Sequence, residues 1–189
     1  LRPAGDQRRR RGLPAIALAV ALSGGLAIET GCGVVDQILD PVHAREIAAL
    51  GDDPSGQEPG PNHRAGQPCL VCHGSVGPNG PELSVAGTIY RAHVDAQALD
   101  GAVVTLIDAQ GVTREFNTNR AGNFLVRASA WQPVYPMRVS VSYGGVSTDM
   151  KTNVGRDGSC ATCHTDPPGP ASAGHVYLVA DPATFPGGP

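Results

Sequence analysis

Two pentapeptides concentrate the cysteine chemistry of this chain: Cys69-Leu70-Val71-Cys72-His73 and Cys160-Ala161-Thr162-Cys163-His164. Two thiols three residues apart can add to the two vinyl groups of one haem, and the adjacent histidine is then placed to bond the iron from the proximal side. Each motif therefore implies one haem c, held by Cys69 and Cys72 with His73 in the first case and by Cys160 and Cys163 with His164 in the second. The same four thiols could instead build one zinc site, but that leaves both following histidines unexplained. A thioredoxin-like redox pair is weaker still, because no strand–helix–strand pattern surrounds either motif.

Each iron has a sixth position to fill or leave open. Outside the motifs the nitrogen and sulfur donors are His43, His63, His93, His175, Met137 and Met150. His175 and Met137 stand at strand-like positions, and Met137 alternates with Val139 and Val141, so Met137 is expected in the core. His43 falls on a short helix, where a solvated histidine is the ordinary case. His63, His93 and Met150 lie near a motif or at a strand end and are the expected distal candidates.

Haem attachment of this kind takes place outside the cytoplasm, and the first residues suit export. Arg8, Arg9, Arg10 and Arg11 precede an uncharged apolar run from Leu13 to Ile28, the pattern of a signal peptide. A run of about 16 residues falls short of the roughly 20 that cross a bilayer. Cys32 is the cysteine left over, and Glu29-Thr30-Gly31-Cys32 resembles a bacterial lipobox, with Gly31 before the cut and Glu29 where an aliphatic residue is usual. Lipidation of Cys32 is expected, since an unpaired exported thiol is otherwise reactive; the alternative is a free thiol in a cleaved tail. The expected location is the periplasm or outer cell envelope, with the membrane reached only through the lipid of a lipoprotein.

The elements that must position the motifs are short. Residues 36–51 suit one helix, with Asp40 as N-cap, Pro41 in the first turn and Gly51 past the end. Residues 51–68, rich in Gly, Pro, Asp and Gln, have the composition of a spacer. From Val85 onward the pattern becomes β: runs at 85–90, 103–107, 124–126 and 137–141, with shorter ones at 112–117 and 146–150, are divided by Asp108-Ala109-Gln110-Gly111, Asn119-Arg120-Ala121-Gly122 and Gly144-Gly145. Six short strands with turn chemistry between them predict a mainly β chain, a small antiparallel β-sandwich. The expected organisation is a signal peptide at 1–31, a tether at 32–68, a first haem segment at 69–83, the sandwich at 84–150, and a second haem segment with a C-terminal strand or tail at 151–189. An even number of antiparallel passes should return the chain to the end where it entered, bringing the two haem segments together. A further strand at 176–179, where Gly174-His175-Val176-Tyr177 echoes Gly87-Thr88-Ile89-Tyr90, would turn the second haem segment into a loop between strands.

The stretches Ala86-Gly87-Thr88-Ile89-Tyr90, Asp100 to Asp108, Gly111, and Thr118 to Phe124 resemble the carboxypeptidase regulatory-like (prealbumin-like) domain over about residues 84–150. That resemblance implies a seven-stranded sandwich with no chemistry of its own. With haem motifs on both sides, the chain is similar to bacterial dihaem c-type cytochromes built on this core. In those cytochromes a Met or His stands shortly before the first motif and a Met closes the last strand. The resemblance therefore implies His63, or failing it His93, on the first iron and Met150 on the second.

Charge narrows the function further. Removing residues 1–31 takes away five Arg together with Asp6 and Glu29, leaving 9 basic against 15 acidic side chains, a formal charge of −6. An acidic surface does not neutralise phosphates, which excludes nucleic acid as a partner. The expectation is an electron carrier rather than an enzyme, exchanging electrons through two haem c groups with a redox partner protein. The rival classes are a small dihaem peroxidase-like or reductase-like enzyme and a haem-based sensor, either with one open iron site.

Overall fold

Turn residues cut the chain into strands largely where the sequence places them. The side chain of Asp108 accepts hydrogen bonds from the backbone N–H groups of Gln110 and Val112 at 2.9 Å each, and Gly111 closes that turn at φ 80°, a conformation that favours glycine. Gly144 and Gly145, at φ 57° and 82°, form a two-residue hairpin loop whose flanking pair is Tyr143 and Val146; two consecutive left-handed residues match the twist of the strands they join.

The computed structural model describes residues 41–54 and 56–187. The expected signal peptide at 1–31, the lipidation site Cys32 and the helix cap Asp40 lie outside the described residues. Two short helices come first, α1 (Pro41–Ala49) and α2 (Leu70–His73). Eight strands follow: β1 (Leu83–Ala92), β2 (Asp95–Ala98), β3 (Val103–Ile107), β4 (Thr113–Asn117), β5 (Asn123–Arg127), β6 (Arg138–Tyr143), β7 (Val146–Asp149) and β8 (Val176–Val179). Among the described residues no helix is long and apolar enough to cross a membrane.

The chain is mainly β, with one sheet ordered β2-β1-β5 and a second ordered β4-β3-β6-β7. All pairings within these two paths are antiparallel. The exception is β8, which joins β1 in parallel with Ile89 opposite Val176 and Ala92 opposite Val179. Ile89, Phe124, Val126 and Leu178 from the first sheet meet Val104, Leu106, Met137 and Val141 around the second in one buried cluster. Met137 is fully buried, as its alternation with Val139 and Val141 implies.

Strand β1 organises everything around it. Tyr90 pairs with Ala98 of β2 on one side and Tyr177 of β8 on the other, and Ala86 pairs with Leu125 of β5 while its N–H donates to the Gly158 carbonyl at 2.9 Å. Every residue from Leu83 to Tyr90 is buried. Its polar side chains are satisfied inside: Ser84 Oγ donates to the Trp131 carbonyl at 2.7 Å and Thr88 Oγ1 to Asn123 Oδ1 at 2.6 Å. The expected six strands over 85–150 are corrected to seven, β2 being a short, polar addition, and the further strand at 176–179 is present as β8, which makes residues 160–175 an excursion from the edge of β1.

Candidate functional site

Both CxxCH motifs fold into the same single turn. In the first, the Cys69 carbonyl accepts from the N–H groups of Cys72 at 3.2 Å and His73 at 2.9 Å; in the second, the Cys160 carbonyl accepts from Cys163 at 3.2 Å and His164 at 2.9 Å. Positions i, i+3 and i+4 of a helical turn share one face. The two thiols and the imidazole of each motif are therefore presented together, although the residues between them differ. No three His, Cys, Asp or Glu side chains converge as a metal cage among the described residues.

The histidines are oriented by what their far nitrogens meet. His73 Nδ1 lies 3.2 Å from the Pro81 carbonyl oxygen, and His164 Nδ1 lies 2.9 Å from that of Gly174. A carbonyl only accepts, so the ring proton of each neutral imidazole sits on Nδ1 and the lone pair is left on Nε2. Metal-bound histidines are commonly fixed in this way by a partner on the other nitrogen. The donor set of each motif, two thiols and one imidazole with a free Nε2, fits a covalently held haem.

His63 joins the first site. Its ring centre is 5.8 Å from that of His73, with the planes tilted by 56°, and its Nδ1 meets the Gly60 carbonyl. Two imidazoles on opposite sides of one metal, each bonded at about 2 Å, have ring centres roughly 6 Å apart. The segment carrying His63 has no regular element, as its composition implies, yet it is not a loose spacer. Asn123 Nδ2 donates to the His63 carbonyl at 3.1 Å, Asn119 Nδ2 to that of Pro61 at 2.6 Å, and Gly66 N–H to Thr88 Oγ1 at 2.8 Å. Arg64 holds the other side, its N–H on Asp53 Oδ2 at 2.8 Å and its guanidinium on the Gly51 carbonyl at 2.9 Å. Asn119 and Asn123 were not visible as site residues in the sequence; their only signal was membership of the turn between β4 and β5.

The remaining candidates fall elsewhere. His93 follows β1, and its Nε2 stands 3.8 Å from where a Cβ on Gly174 would lie; that places it beside the second motif rather than the first, which it was expected to serve. Met150 immediately follows β7, with its N–H on the Val139 carbonyl at 2.9 Å, beside the sheet that does not carry the motifs. His175 immediately precedes β8, stacks on Tyr90 with ring centres 4.1 Å apart, and has Nε2 4.0 Å from Asp166 Oδ2. His43, expected in solvent, is largely covered on α1, with Nδ1 3.7 Å from the Glu46 carboxylate.

Strand β1 carries both motifs: α2 packs against it, as does the 3-10 turn at Cys160–Thr162. Burial pushes the Cys69 thiol up to about 11, opposed by a backbone hydrogen bond and helped by Cys72; it pushes Cys160 up to about 12, with the neighbouring Cys69 and then Asp157 adding to the rise. The first cysteines of the two motifs are thus close enough to sense one another. As free thiols both favour the neutral form in the fold, so their contribution to stability is complete below about pH 9 and declines as pH rises toward 11 and 12. Iodoacetamide at pH 8 should accordingly label exposed Cys163 first, with Cys69 and Cys160 at least about a hundredfold slower until denaturant is added. Equal labelling of all four without denaturant would contradict this burial.

No family model matches the chain, and neither does a curated protein or a solved structure.

Proposed function

We propose that this chain is an exported dihaem c-type cytochrome on a prealbumin-like sandwich, carrying electrons through two haem c groups and anchored by lipid at Cys32. The observation that carries the reading is the repetition, at two unrelated stretches of sequence, of one arrangement. A single turn presents two thiols and an imidazole, and a backbone carbonyl takes the Nδ1 proton of that imidazole. When bound, each haem supplies an iron that alternates between ferric and ferrous states.

The chain's own residues do the rest. Cys69, Cys72, Cys160 and Cys163 would tether the porphyrins, and Pro81 and Gly174 aim His73 and His164. His63 faces His73 and would close the first iron against exogenous ligands, which suits an electron carrier better than an enzyme or a sensor. At the second site His93 lies near the loop that holds His164 whereas Met150 lies beside the other sheet, so His93 is the nearer candidate and would reach the iron by turning its ring toward the Nε2 side of His164. The packing of both motif turns against β1 supports direct exchange between the two centres.

Expression in a host that matures c-type cytochromes, followed by a pyridine haemochrome assay, should return two haems per chain. Mass mapping should find one on the peptide containing Cys69 and Cys72 and one on that containing Cys160 and Cys163. Fewer than two haems refutes the proposal, and rapid carbon monoxide binding by the reduced wild-type protein would move it toward the enzyme or sensor class.

A further inference from the structure

We propose that Tyr90 is a positioning residue shared by the two haem sites, its hydroxyl setting the loop that carries His63 and its ring face setting the segment that holds His164. The proposal rests on the reading of both motifs as haem sites. Tyr90 is buried in β1, with backbone partners on both edges, Ala98 and Tyr177. Its Cα is therefore fixed, and its side chain reaches out from an immobile point.

Toward the first site the phenol oxygen stands over Gly66, where an added Cβ would come within 2.7 Å of it. Gly66 has φ 80° and donates its N–H to Thr88 Oγ1. Thr88 and Tyr90 are two residues apart on a strand and so project from the same face. Between them they hold Gly66, three residues after His63. Toward the second site the Tyr90 ring lies nearly parallel to that of His175, at 13° and 4.1 Å, and Asp166 stands at the far nitrogen of that ring. The peptide unit entering His175 is planar, and its oxygen is the Gly174 carbonyl that receives His164 Nδ1. Fixing His175 therefore fixes the direction in which that carbonyl points, and with it the plane of the proximal imidazole. Burial, aided by Asp166, raises the Tyr90 pKa, so the phenol stays protonated at neutral pH.

Removing the hydroxyl separates the two roles from one another. Potentiometric titration followed by electron paramagnetic resonance should be run on the two-haem protein and on Tyr90→Phe, Tyr90→Leu and His175→Leu, with thermal melts for each. Tyr90→Phe retains the ring stack and should shift the g-values and potential of the first haem alone. His175→Leu should shift those of the second alone, and Tyr90→Leu should shift both. Two haems with unmoved signals in Tyr90→Leu overturn the proposal, as do equal shifts at both sites in Tyr90→Phe and Tyr90→Leu, which would signify general loosening. If Tyr90→Leu fails to fold, the opposed pair of single-site shifts in the other two variants decides, and their absence overturns it. A wild-type chain lacking two haems defeats the functional reading itself, an outcome distinct from two haems whose signals ignore Tyr90.

Discussion

Replacing His63 with alanine should leave both haems attached and open one of the two irons, so that half of the reduced haem binds carbon monoxide where the wild type binds little. The expectation follows from the 5.8 Å separation of the His63 and His73 rings and from the contact of His73 Nδ1 with the Pro81 carbonyl, which leaves the Nε2 lone pair of His73 available; His63 is held at Nδ1 by the backbone of Gly60. No thiol is touched, so the proposed covalent attachment at Cys69 and Cys72 should survive. The first site should pass from low spin to high spin, and its potential should change while that of the second stays in place. Asn123→Ala offers a graded version, because it removes the amide that holds the His63 carbonyl and leaves the imidazole present. Carbon monoxide uptake there should be partial. If His63→Ala keeps two low-spin haems and takes up no carbon monoxide, the first iron has another sixth ligand, and the pairing of His63 with His73 is then without function.

How much of this was legible in the sequence depended on range. The two CxxCH turns are local, and spacing alone fixes which atoms share a face. The strands flanked by Gly-containing turns were equally readable, and α1 begins at Pro41 where a proline is tolerated in a helix. Strand β2 was not readable, since its sequence Asp95–Ala98 offers only two alanines as an apolar signal and the strand exists because its backbone pairs with β1. The distal residues were the hardest. His63 was visible as a donor near a motif, but what holds it comes from Asn123, 60 positions along the chain. The surroundings of His93 and His175 were hidden for a similar reason: one lies by the loop around Gly174 and the other stacks on Tyr90, and neither contact leaves a periodic trace. The unbroken burial of β1 from Leu83 to Tyr90 also hid its two roles, as a wall of the core and as the support of both motifs.

Gly87 carries the second large effect. A Cβ at this position would lie 2.6 Å from Cys160 Sγ, 2.7 Å from Cys160 Cβ and 3.0 Å from Phe124 Cε1. Its φ is outside the left-handed region, so the backbone accepts alanine and the conflict is one of space alone. Rotating the Cys160 side chain relieves the sulfur but not the Cβ, which moves only with the backbone. That backbone is tied to β1 by the hydrogen bond from Ala86 N–H to the Gly158 carbonyl at 2.9 Å, and Phe124 is locked in the core. Gly87→Ala should therefore push the second motif off β1. Overpacking of this kind costs about 1–3 kcal/mol, which lowers the melting temperature by roughly 2–4 °C per kcal/mol in a chain of this size. The spectrum and potential of the second haem should shift with it, while the first keeps its own, because the atoms crowding a Cβ at Gly87 belong to Cys160 and Phe124 and none to the first motif. Gly155→Ala is the matched control, because nothing lies within 4 Å of a Cβ there, and it should melt with the wild type. A Gly87→Ala protein with wild-type melting and an unaltered second haem would mean that Cys160 does not lie against β1.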